Sequence, residues 1–242
     1  MARDTALHAR AASTSETVFS IYSWARPTLS IGRHQPALGL YDLKKIHAAG
    51  VDVVRRPTGG RAILHHREVT YSVTAPLEHR DSLRATYSRI NVILLAGLTR
   101  LGVMAGVAAP ADRAAAPSIR PCFDAASEGE LVAQGGKLVG SAQWRDAGAL
   151  LQHGSILVND DQSSLSSFAA SATSGSSSIA PPATLAALLG RAPDAAEVAH
   201  AMFDAVRSLE DADATELSED EIRADALQLL PRYLDEEWTW RR

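Results

Sequence analysis

The chain contains a single cysteine, Cys122, and a lysine fifteen residues further on, Lys137, which together could perform nucleophilic chemistry. A free thiol has a pKa of about 8.5, so only a few per cent is thiolate near neutral pH, and a nearby ammonium would stabilise that form. Cys122 follows an Ala/Pro-rich stretch, which favours a loop position over a core position. By residue type alone, a lone cysteine is more often an inert small hydrophobe, and Lys137 more often a lysine at a hairpin edge.

A second candidate is the run Arg-Arg-Pro-Thr-Gly-Gly-Arg at residues 55–61. Its two glycines let the backbone approach a ligand, and its three arginines offer planar donors to carbonyl, carboxylate or phosphate groups. An ordinary glycine turn with solvated arginines would give the same pattern. A Walker A loop is excluded, because no Gly-Lys-Ser/Thr follows. The candidates in this run are Arg55, Arg56, Gly59, Gly60 and Arg61.

Small residues recur on two segments predicted to pair as strands, and they would leave room for a narrow ligand such as an acyl chain. Ordinary strand packing with a hydrogen-bonded histidine would explain the same pattern. The candidates are Gly140, Ser141, Ala142, Gln143, His153, Gly154 and Ser155. His65, His66 and Glu68 could be mistaken for a metal site, but alternation along a strand puts the two histidines on opposite faces. We therefore expect no metal.

Composition excludes several classes of protein. The formal net charge is −4 and the pI is near 6.1, which argues against nucleic acid as an electrostatic partner. One cysteine cannot form an intrachain disulfide. The longest apolar run, residues 92–98, is far too short for a membrane span, and no secretory signal is evident at the start. We expect a cytoplasmic protein of one domain.

Hydrophobic periodicity predicts the elements that must position these residues. Helices are predicted at residues 1–12, 42–49 and 81–101, and strands at 18–24, 28–32, 51–54, 62–65 and 69–74. Three antiparallel strands are predicted at 130–133, 137–145 and 149–158, after a loop at 105–121. This order indicates an α+β fold with a mixed or antiparallel sheet and packed helices.

The last third of the chain is predicted to be a linker followed by helices. Residues 162–178 are rich in Ser and Ala, which favours a mobile linker or surface loop. Asp194 with Glu197, and Ser218 with Glu221, each fit a capping box that opens a helix. Pro231 is expected to end or kink the last helix.

Four motifs in this order resemble the biotin/lipoate protein ligase family. They lie at residues 55–65, 70–73, 137–143 and 151–157. The octanoyltransferase branch of that family also carries a Cys-Phe-Asp-Ala segment fifteen residues ahead of the lysine, as this chain does at residues 122–125. The resemblance covers nearly the whole chain. It implies one catalytic domain over residues 1–242, with a fold resembling that of class II aminoacyl-tRNA synthetases and biotin–lipoate ligases.

The resemblance implies octanoyl transfer from octanoyl-acyl carrier protein to a lysine of a lipoyl domain, without ATP, metal or cofactor, and without nucleic acid or membrane. Cys122 would carry the octanoyl group as a thioester, and Lys137 would stabilise the thiolate and hold the acyl carbonyl. His65, Tyr71 and Ser72 would line the pocket together with the candidates given above. Glu128 and Gly129 stand where the family tends to have bulky residues, which affects the rim of the acyl pocket.

Three alternatives remain at this point. An ATP-dependent lipoate–protein ligase shares the fold and the lysine but needs no cysteine, and usually has a third glycine where this chain has Arg61. A lipoyl-domain amidotransferase would keep the cysteine and change the octanoyl donor. A non-catalytic sensor of lipoyl domains or acyl groups belongs to another class, and the presence of both Cys122 and Lys137 argues against it.

Overall fold

The computed structural model describes residues 1–77, 82–109, 122–124, 126–170 and 181–241. Its strands are β1 (Val18–Tyr22), β2 (Thr28–Ile31), β3 (Asp52–Arg55), β4 (Ile63–His65), β5 (Glu68–Pro76), β6 (Gly106–Val107), β7 (Leu131–Ala133), β8 (Gly136–Asp146) and β9 (Ala149–Leu157). Its helices are α1 (Ala2–Thr14), α2 (Leu43–Ala48), α3 (Leu83–Arg100), α4 (Leu185–Leu189), α5 (Ala195–Leu209), α6 (Asp220–Leu234) and α7 (Glu236–Trp240). None of the helices so described is long and apolar enough to cross a membrane.

The strands form two sheets. The larger is antiparallel, with the order β1-β5-β9-β8-β7-β6, and the smaller has the order β3-β2-β4. In the smaller sheet β2 runs parallel to β3 and antiparallel to β4. The prediction of an α+β fold with a mixed or antiparallel sheet and packed helices is confirmed.

The main core lies between the larger sheet and helices α3 and α5. Ile90, Leu94 and Leu98 of α3 are buried there together with Val198 and Met202 of α5. The periodic apolar residues of the α3 sequence therefore form the face that covers the sheet. A second cluster, on the smaller sheet, includes Leu29, Ile31 and Leu64.

Helix starts agree with the capping patterns in the sequence. Asp42 caps α2 by accepting from the backbone N–H groups of Lys44 and Lys45. Asp194 caps α5 by accepting from the backbone N–H of Glu197. The last long helix differs in part, because α6 has Glu219 as its N-cap and continues through Pro231 to Leu234. Proline has no N–H to donate to the backbone carbonyl four residues earlier in the helix. Because Pro231 is exposed, that carbonyl can bond to water instead.

The prediction of a loop at residues 162–178 is wrong for residues 162–168. Residues Gln162–Phe168 form a 3-10 helix, which buries Leu165 and Phe168 against the smaller sheet. The serines contribute to this structure, because Ser166 and Ser167 each donate to the carbonyl three residues earlier. Residues 171–178 lie outside the described residues.

The predicted loop at residues 105–121 also contains a strand. β6 pairs with β7 at the edge of the larger sheet, with Gly106 opposite Val132. A strand of two residues has too few side chains to show a periodic pattern, which explains why the sequence did not indicate it. Residues 110–121 lie outside the described residues.

Candidate active site

A cavity of about 840 Å³ is bounded by α3, the larger sheet and the loop before β4. Its wall contains most of the residues that the sequence predicted for the site. These are Arg56, Gly60, Arg61, His65, Cys122, Lys137, Gly140, Ser141, Ala142, Gln143, His153, Gly154 and Ser155. Glu128 and Gly129 are part of the wall as well.

Cys122 is held at the cavity wall by its own backbone. Its N–H donates to the carbonyl of Ala62 at 2.9 Å, which fixes it beside the start of β4. The residue begins a short 3-10 helix, Cys122–Asp124, and packs against the buried cluster of Ile63, Phe123 and Leu157. Its side chain is half-buried and free of any disulfide. Packing against these neighbours fixes the position of Cys122, and the residue still lines the cavity.

Lys137 lies at the start of β8 and reaches Cys122 with its ammonium. Its Nζ is 3.4 Å from the Sγ of Cys122 and donates to the Cys122 carbonyl at 2.7 Å. The same Nζ lies 4.9 Å from the ring centre of Phe123. A Cβ on Gly140 would lie 3.0 Å from Lys137 Cε, so the glycine leaves the space that the lysine needs. The structure thus brings together the two residues that the sequence placed fifteen positions apart.

Glu130 completes this group, and the sequence analysis did not identify it. Its Oε1 accepts from Lys137 Nζ at 2.7 Å, while its Oε2 accepts from the backbone N–H of Ser127 at 2.6 Å. Both partners of the ion pair are buried, with 1% of the Lys137 side chain and 8% of the Glu130 side chain exposed. The available signal was a pair of opposite charges on the two arms of a short hairpin, since Lys137 on β8 lies opposite Val132, two residues beyond Glu130.

Helix α3 supplies a polar side of the cavity that was not identified from the sequence. Tyr87 and Asn91 both line the wall. Burial and the nearby Glu130 carboxylate raise the pKa of Tyr87 to about 12, so its hydroxyl stays protonated at neutral pH. Asn91 Nδ2 donates to the carbonyl of Gly129 at 2.6 Å and ties the rim to the helix. The four-residue spacing of these polar residues was the signal that could have been used.

Arg56 shapes the loop before β4. Its guanidinium donates to the carbonyls of Ser30, Gly59 and Arg61 at 2.7 to 3.1 Å. The loop also passes close to Gly32 at the end of β2, because a Cβ on Gly32 would lie 1.9 Å from the carbonyl oxygen of Gly60. Gly59 itself is not part of the wall. Of the two glycines only Gly60 has a backbone requirement, because its φ is +92° and a Cβ there would lie 2.9 Å from the Arg56 guanidinium.

Arg55 does not line the cavity, although the sequence predicted that it binds substrate. Its side chain turns away and donates to six backbone carbonyls around α7 and the loop after β2 at 2.7 to 3.2 Å. These carbonyls belong to Gly32, Arg33, Gln35, Trp238, Thr239 and Arg241. Burial and the neighbouring Arg241 lower the pKa of Arg55 to about 10. The residue fastens the C-terminal helix to the smaller sheet.

Tyr71 and Ser72 are also absent from the described wall, although both were predicted to line it. Tyr71 supports the wall from behind, because its hydroxyl bonds to Ser141 Oγ at 2.6 Å and accepts from Gln152 at 2.8 Å. A Cβ on Gly154 would lie 2.7 Å from the Tyr71 ring, so part of the small-residue pattern serves ordinary packing. Ser72, the next residue on β5, points to the opposite face of the strand.

His153 has both ring nitrogens engaged. Its Nε2 bonds to Thr58 Oγ1 at 2.6 Å and its Nδ1 to Asp4 Oδ2 at 3.1 Å. Tyr22 donates to the same carboxylate oxygen at 2.8 Å. His153 is therefore a structural member of the wall rather than an available base.

Stability is expected to fall as the pH drops from 7 to 5, and His153 is expected to carry part of that fall. Burial lowers the pKa of His153, and the bond to Asp4 offsets this only in part. The unfolded chain therefore takes up a proton near the ordinary pKa of about 6.5 while the folded protein does not, which costs up to about 1.4 kcal/mol per pH unit. Urea unfolding at several pH values between 7 and 5 gives the free energy of unfolding at each pH. This free energy should fall less steeply with decreasing pH in His153→Gln than in wild type.

His47 is exposed, so His47→Gln is the matched control for that measurement. In this variant the free energy of unfolding should depend on pH as it does in wild type. If the free energy of unfolding depends on pH equally in His153→Gln and in wild type, the assignment of this pH dependence to His153 is contradicted.

His65 differs from His153 in having one free nitrogen. Its Nδ1 lies 3.1 Å from Glu68 Oε1, and its ring stacks on Trp24 at 4.3 Å. Its buried Nε2 has no hydrogen-bond partner within the described residues. His66 points to the opposite side, where it is exposed and pairs with Asp161. Among the residues that the structure describes, no three His, Cys, Asp or Glu side chains could hold a metal ion together.

The fold is that of lipoate–protein ligases. The crystal structure of lipoate-protein ligase A bound with ATP matches 99% of this chain and 92% of that protein's chain, with a TM-score of 0.78 and 22% identity. A bi-partite lipoate protein ligase from Thermoplasma acidophilum matches 99% of this chain and 89% of its own, with a TM-score of 0.77 and 21% identity. These likenesses confirm the predicted fold.

The chain belongs to the lipoyl protein ligase A/B catalytic domain family, whose sequence model matches residues 1–207. It is 47% identical over 152 residues to Octanoyltransferase LipM of Kyrpidia tusciae, which covers 60% of this chain and 56% of that protein. Octanoyltransferase LipM of Macrococcus caseolyticus is 45% identical over 152 residues, covering 60% and 55%. The chain thus spans just over half the length of these curated relatives. The resemblance to the octanoyltransferase branch is confirmed.

Proposed function

We propose that the chain transfers an octanoyl group from octanoyl-acyl carrier protein to a lysine of a lipoyl domain, through a thioester on Cys122. The observation that carries this proposal is the half-buried thiol of Cys122 at the cavity wall, 3.4 Å from the buried ammonium of Lys137. The similarity to curated octanoyltransferases supports the same acyl group. An adenylate-forming ligase does not require a thiol at this place.

In the first step the Cys122 thiolate attacks the carbonyl carbon of the donor thioester. A new C–S bond forms to Cys122, the donor C–S bond breaks, and the carrier thiol leaves with the electron pair and takes up a proton. The Lys137 ammonium stabilises the attacking thiolate and the oxyanion that develops on the carbonyl, because it is charged, close and held in a dry site.

In the second step the amine of the acceptor lysine attacks the octanoyl carbonyl on Cys122. A C–N bond forms, the C–S bond to Cys122 breaks, and the thiol is restored with a proton from the amine. Thioester exchange is nearly neutral in free energy and amide formation from a thioester is downhill, so the sequence of steps needs no ATP and no cofactor.

The cavity has the shape and chemistry for a short acyl chain. Apolar side chains of α3 and β4, such as Val92, Leu95 and Ile63, share the wall with Gly140 and Ala142. Burying a saturated chain against such surfaces is favourable by about 0.8 kcal/mol per methylene. The small side chain of Ala142 on β8 leaves the width that an unbranched chain requires, whereas the space beside Gly140 is occupied by Lys137 and Phe123.

The proposed partners follow from this chemistry. The donor is octanoyl-acyl carrier protein and the acceptor is the lysine of a lipoyl-domain protein, and we propose that the reaction takes place in the cytoplasm. One solved relative in fold is described together with its E2 lipoyl domain. This supports a lipoyl domain as the acceptor here.

Intact-protein mass spectrometry tests the proposal. After mixing with octanoyl-acyl carrier protein without ATP, the chain should gain the mass of one octanoyl group, and hydroxylamine should remove it because thioesters are labile to this reagent. Transfer of octanoate or lipoate to a lipoyl domain only when ATP is added would show the ligase reaction instead. An adduct formed from an octanoylated lipoyl domain, and not from the carrier protein, would show an amidotransferase.

A further inference from the structure

We propose that Glu130 keeps the ammonium of Lys137 protonated and so prevents the octanoyl group on Cys122 from moving irreversibly to Lys137. The inference rests on the proposed function, because it concerns the thioester intermediate. Its basis is that Lys137 Nζ lies within contact of both Cys122 Sγ, at 3.4 Å, and Glu130 Oε1, at 2.7 Å. The active site therefore holds a second amine beside its own thioester.

That amine is a hazard to the reaction. The carbonyl carbon of an octanoyl group on Cys122 would be one bond from Sγ, and so within reach of Lys137 Nζ. If Lys137 were neutral, its lone pair could attack this carbon: a C–N bond would form, the C–S bond would break, and the amine proton would pass to the departing thiolate. The product would be an amide on Lys137 and a free Cys122, and the site would have lost its cation permanently.

The hydrogen-bond partners of Lys137 fit an ammonium, and once Cys122 carries an acyl group its sulfur has no proton to donate to a neutral amine. Three acceptors surround Nζ: the Glu130 carboxylate at 2.7 Å, the Cys122 carbonyl at 2.7 Å and the Cys122 sulfur at 3.4 Å. An ammonium has three donors and no lone pair, so it satisfies all three acceptors. The face of the Phe123 ring, 4.9 Å away, also favours the charged form. A protonated nitrogen cannot act as a nucleophile.

Glu130 is the group that balances this buried charge. The Lys137 side chain is only 1% exposed, and an ammonium removed from water to that extent stays charged only with a compensating partner. The carboxylate is fixed in place, because its other oxygen accepts from the Ser127 N–H at 2.6 Å. The other ionisable groups that interact with this group, among the described residues, are the guanidinium groups of Arg56 and Arg61 and the hydroxyls of Tyr71 and Tyr87, and none of them supplies a negative charge at neutral pH.

Glu130→Gln is the decisive variant. Glutamine keeps the size of the side chain and can still accept from Ser127, but it removes the charge. The protein is mixed with octanoyl-acyl carrier protein without an acceptor, and the hydroxylamine-resistant fraction of the adduct is followed with time. In wild type the adduct should stay labile. In Glu130→Gln it should become resistant at least about tenfold faster, and the resistant octanoyl group should map to Lys137.

Two further variants make the test specific. Glu130→Asp keeps the charge but moves it away from Nζ, so its adduct should become hydroxylamine-resistant at a rate between those of wild type and Glu130→Gln. If Glu130→Gln does not fold, the comparison of Glu130→Asp with wild type tests the proposal. Glu210→Gln removes a carboxylate that pairs with Arg89 at the surface, and its adduct should behave as in wild type.

The two proposals fail in different ways. A wild-type protein that never forms a labile adduct overturns the proposed function. A labile adduct in wild type that stays equally labile in both Glu130 variants overturns the protective role alone. A folded Glu130→Gln protein that takes up no octanoyl group at all also overturns it, because Glu130 would then be required for acylation itself.

Discussion

Replacing Cys122 with alanine is expected to abolish both the octanoyl adduct and transfer to the lipoyl domain. Removal of a covalent nucleophile typically reduces turnover by about 10⁴-fold or more, because the remaining site can only position the reactants. Cys122 is half-buried and holds its place through its backbone N–H and its neighbours rather than through its sulfur. The alanine variant should therefore fold normally, and the loss should appear in transfer assays and in intact mass alone.

The matched control for this prediction is Cys122→Ser. A serine hydroxyl is a poorer nucleophile at neutral pH, so we expect slow formation of an ester that is more resistant to hydroxylamine than the thioester. Unchanged transfer by a folded Cys122→Ala protein would contradict the thioester route. In that case the ATP-dependent ligase reaction would become the function to test.

The fold class could be predicted from the sequence because the hydrophobic periodicity of each strand and helix is a local pattern. The period-two strands around residues 137–145 and 149–158, and the three- and four-residue spacing along α3, each indicate one element and one buried face. The pairing of Cys122 with Lys137 was a prediction from the resemblance, and the structure places the two side chains in contact. Their proposed roles in transfer remain predictions.

What the sequence could not provide was the direction in which polar side chains point. Arg55 and Arg56 are neighbours in one motif, yet Arg55 bonds to the C-terminal segment while Arg56 enters the cavity wall. Alternation along the chain separates them, and only the position of α7 explains why Arg55 finds carbonyls there. Glu130 was missed for a similar reason, since its partner is identified by hairpin geometry and not by a motif.

The segment at residues 162–168 shows the limit of composition as a guide. Its serines suggested a mobile loop, but Leu165 and Phe168 are three residues apart and fill the core of the smaller sheet. A 3-10 turn brings residues at that spacing onto one side, and the serine hydroxyls satisfy the backbone carbonyls of the same turn. Two apolar residues in a polar segment are too few to produce a detectable period.

Lys137→Met is expected to lose both acylation and stability, for two separate reasons. Without the ammonium near Cys122 Sγ, acylation should slow by about 10²- to 10³-fold, which is typical of losing one charge-stabilising group in an active site. Stability should fall by about 3 to 5 kcal/mol, because Glu130 is left as a buried carboxylate without its partner. Adduct formation by mass and urea unfolding measure the two effects independently.

A double variant separates the chemistry from the charge balance. In Lys137→Met with Glu130→Gln, both charges are removed, and glutamine can still accept from the Ser127 N–H. Most of the lost stability should return, since a neutral pair replaces an uncompensated charge. Acylation should stay as slow as in Lys137→Met, because the ammonium that contacts Cys122 Sγ is still missing. Recovery of acylation along with stability would mean that Lys137 only supports the fold, and would contradict its proposed role at the thiolate.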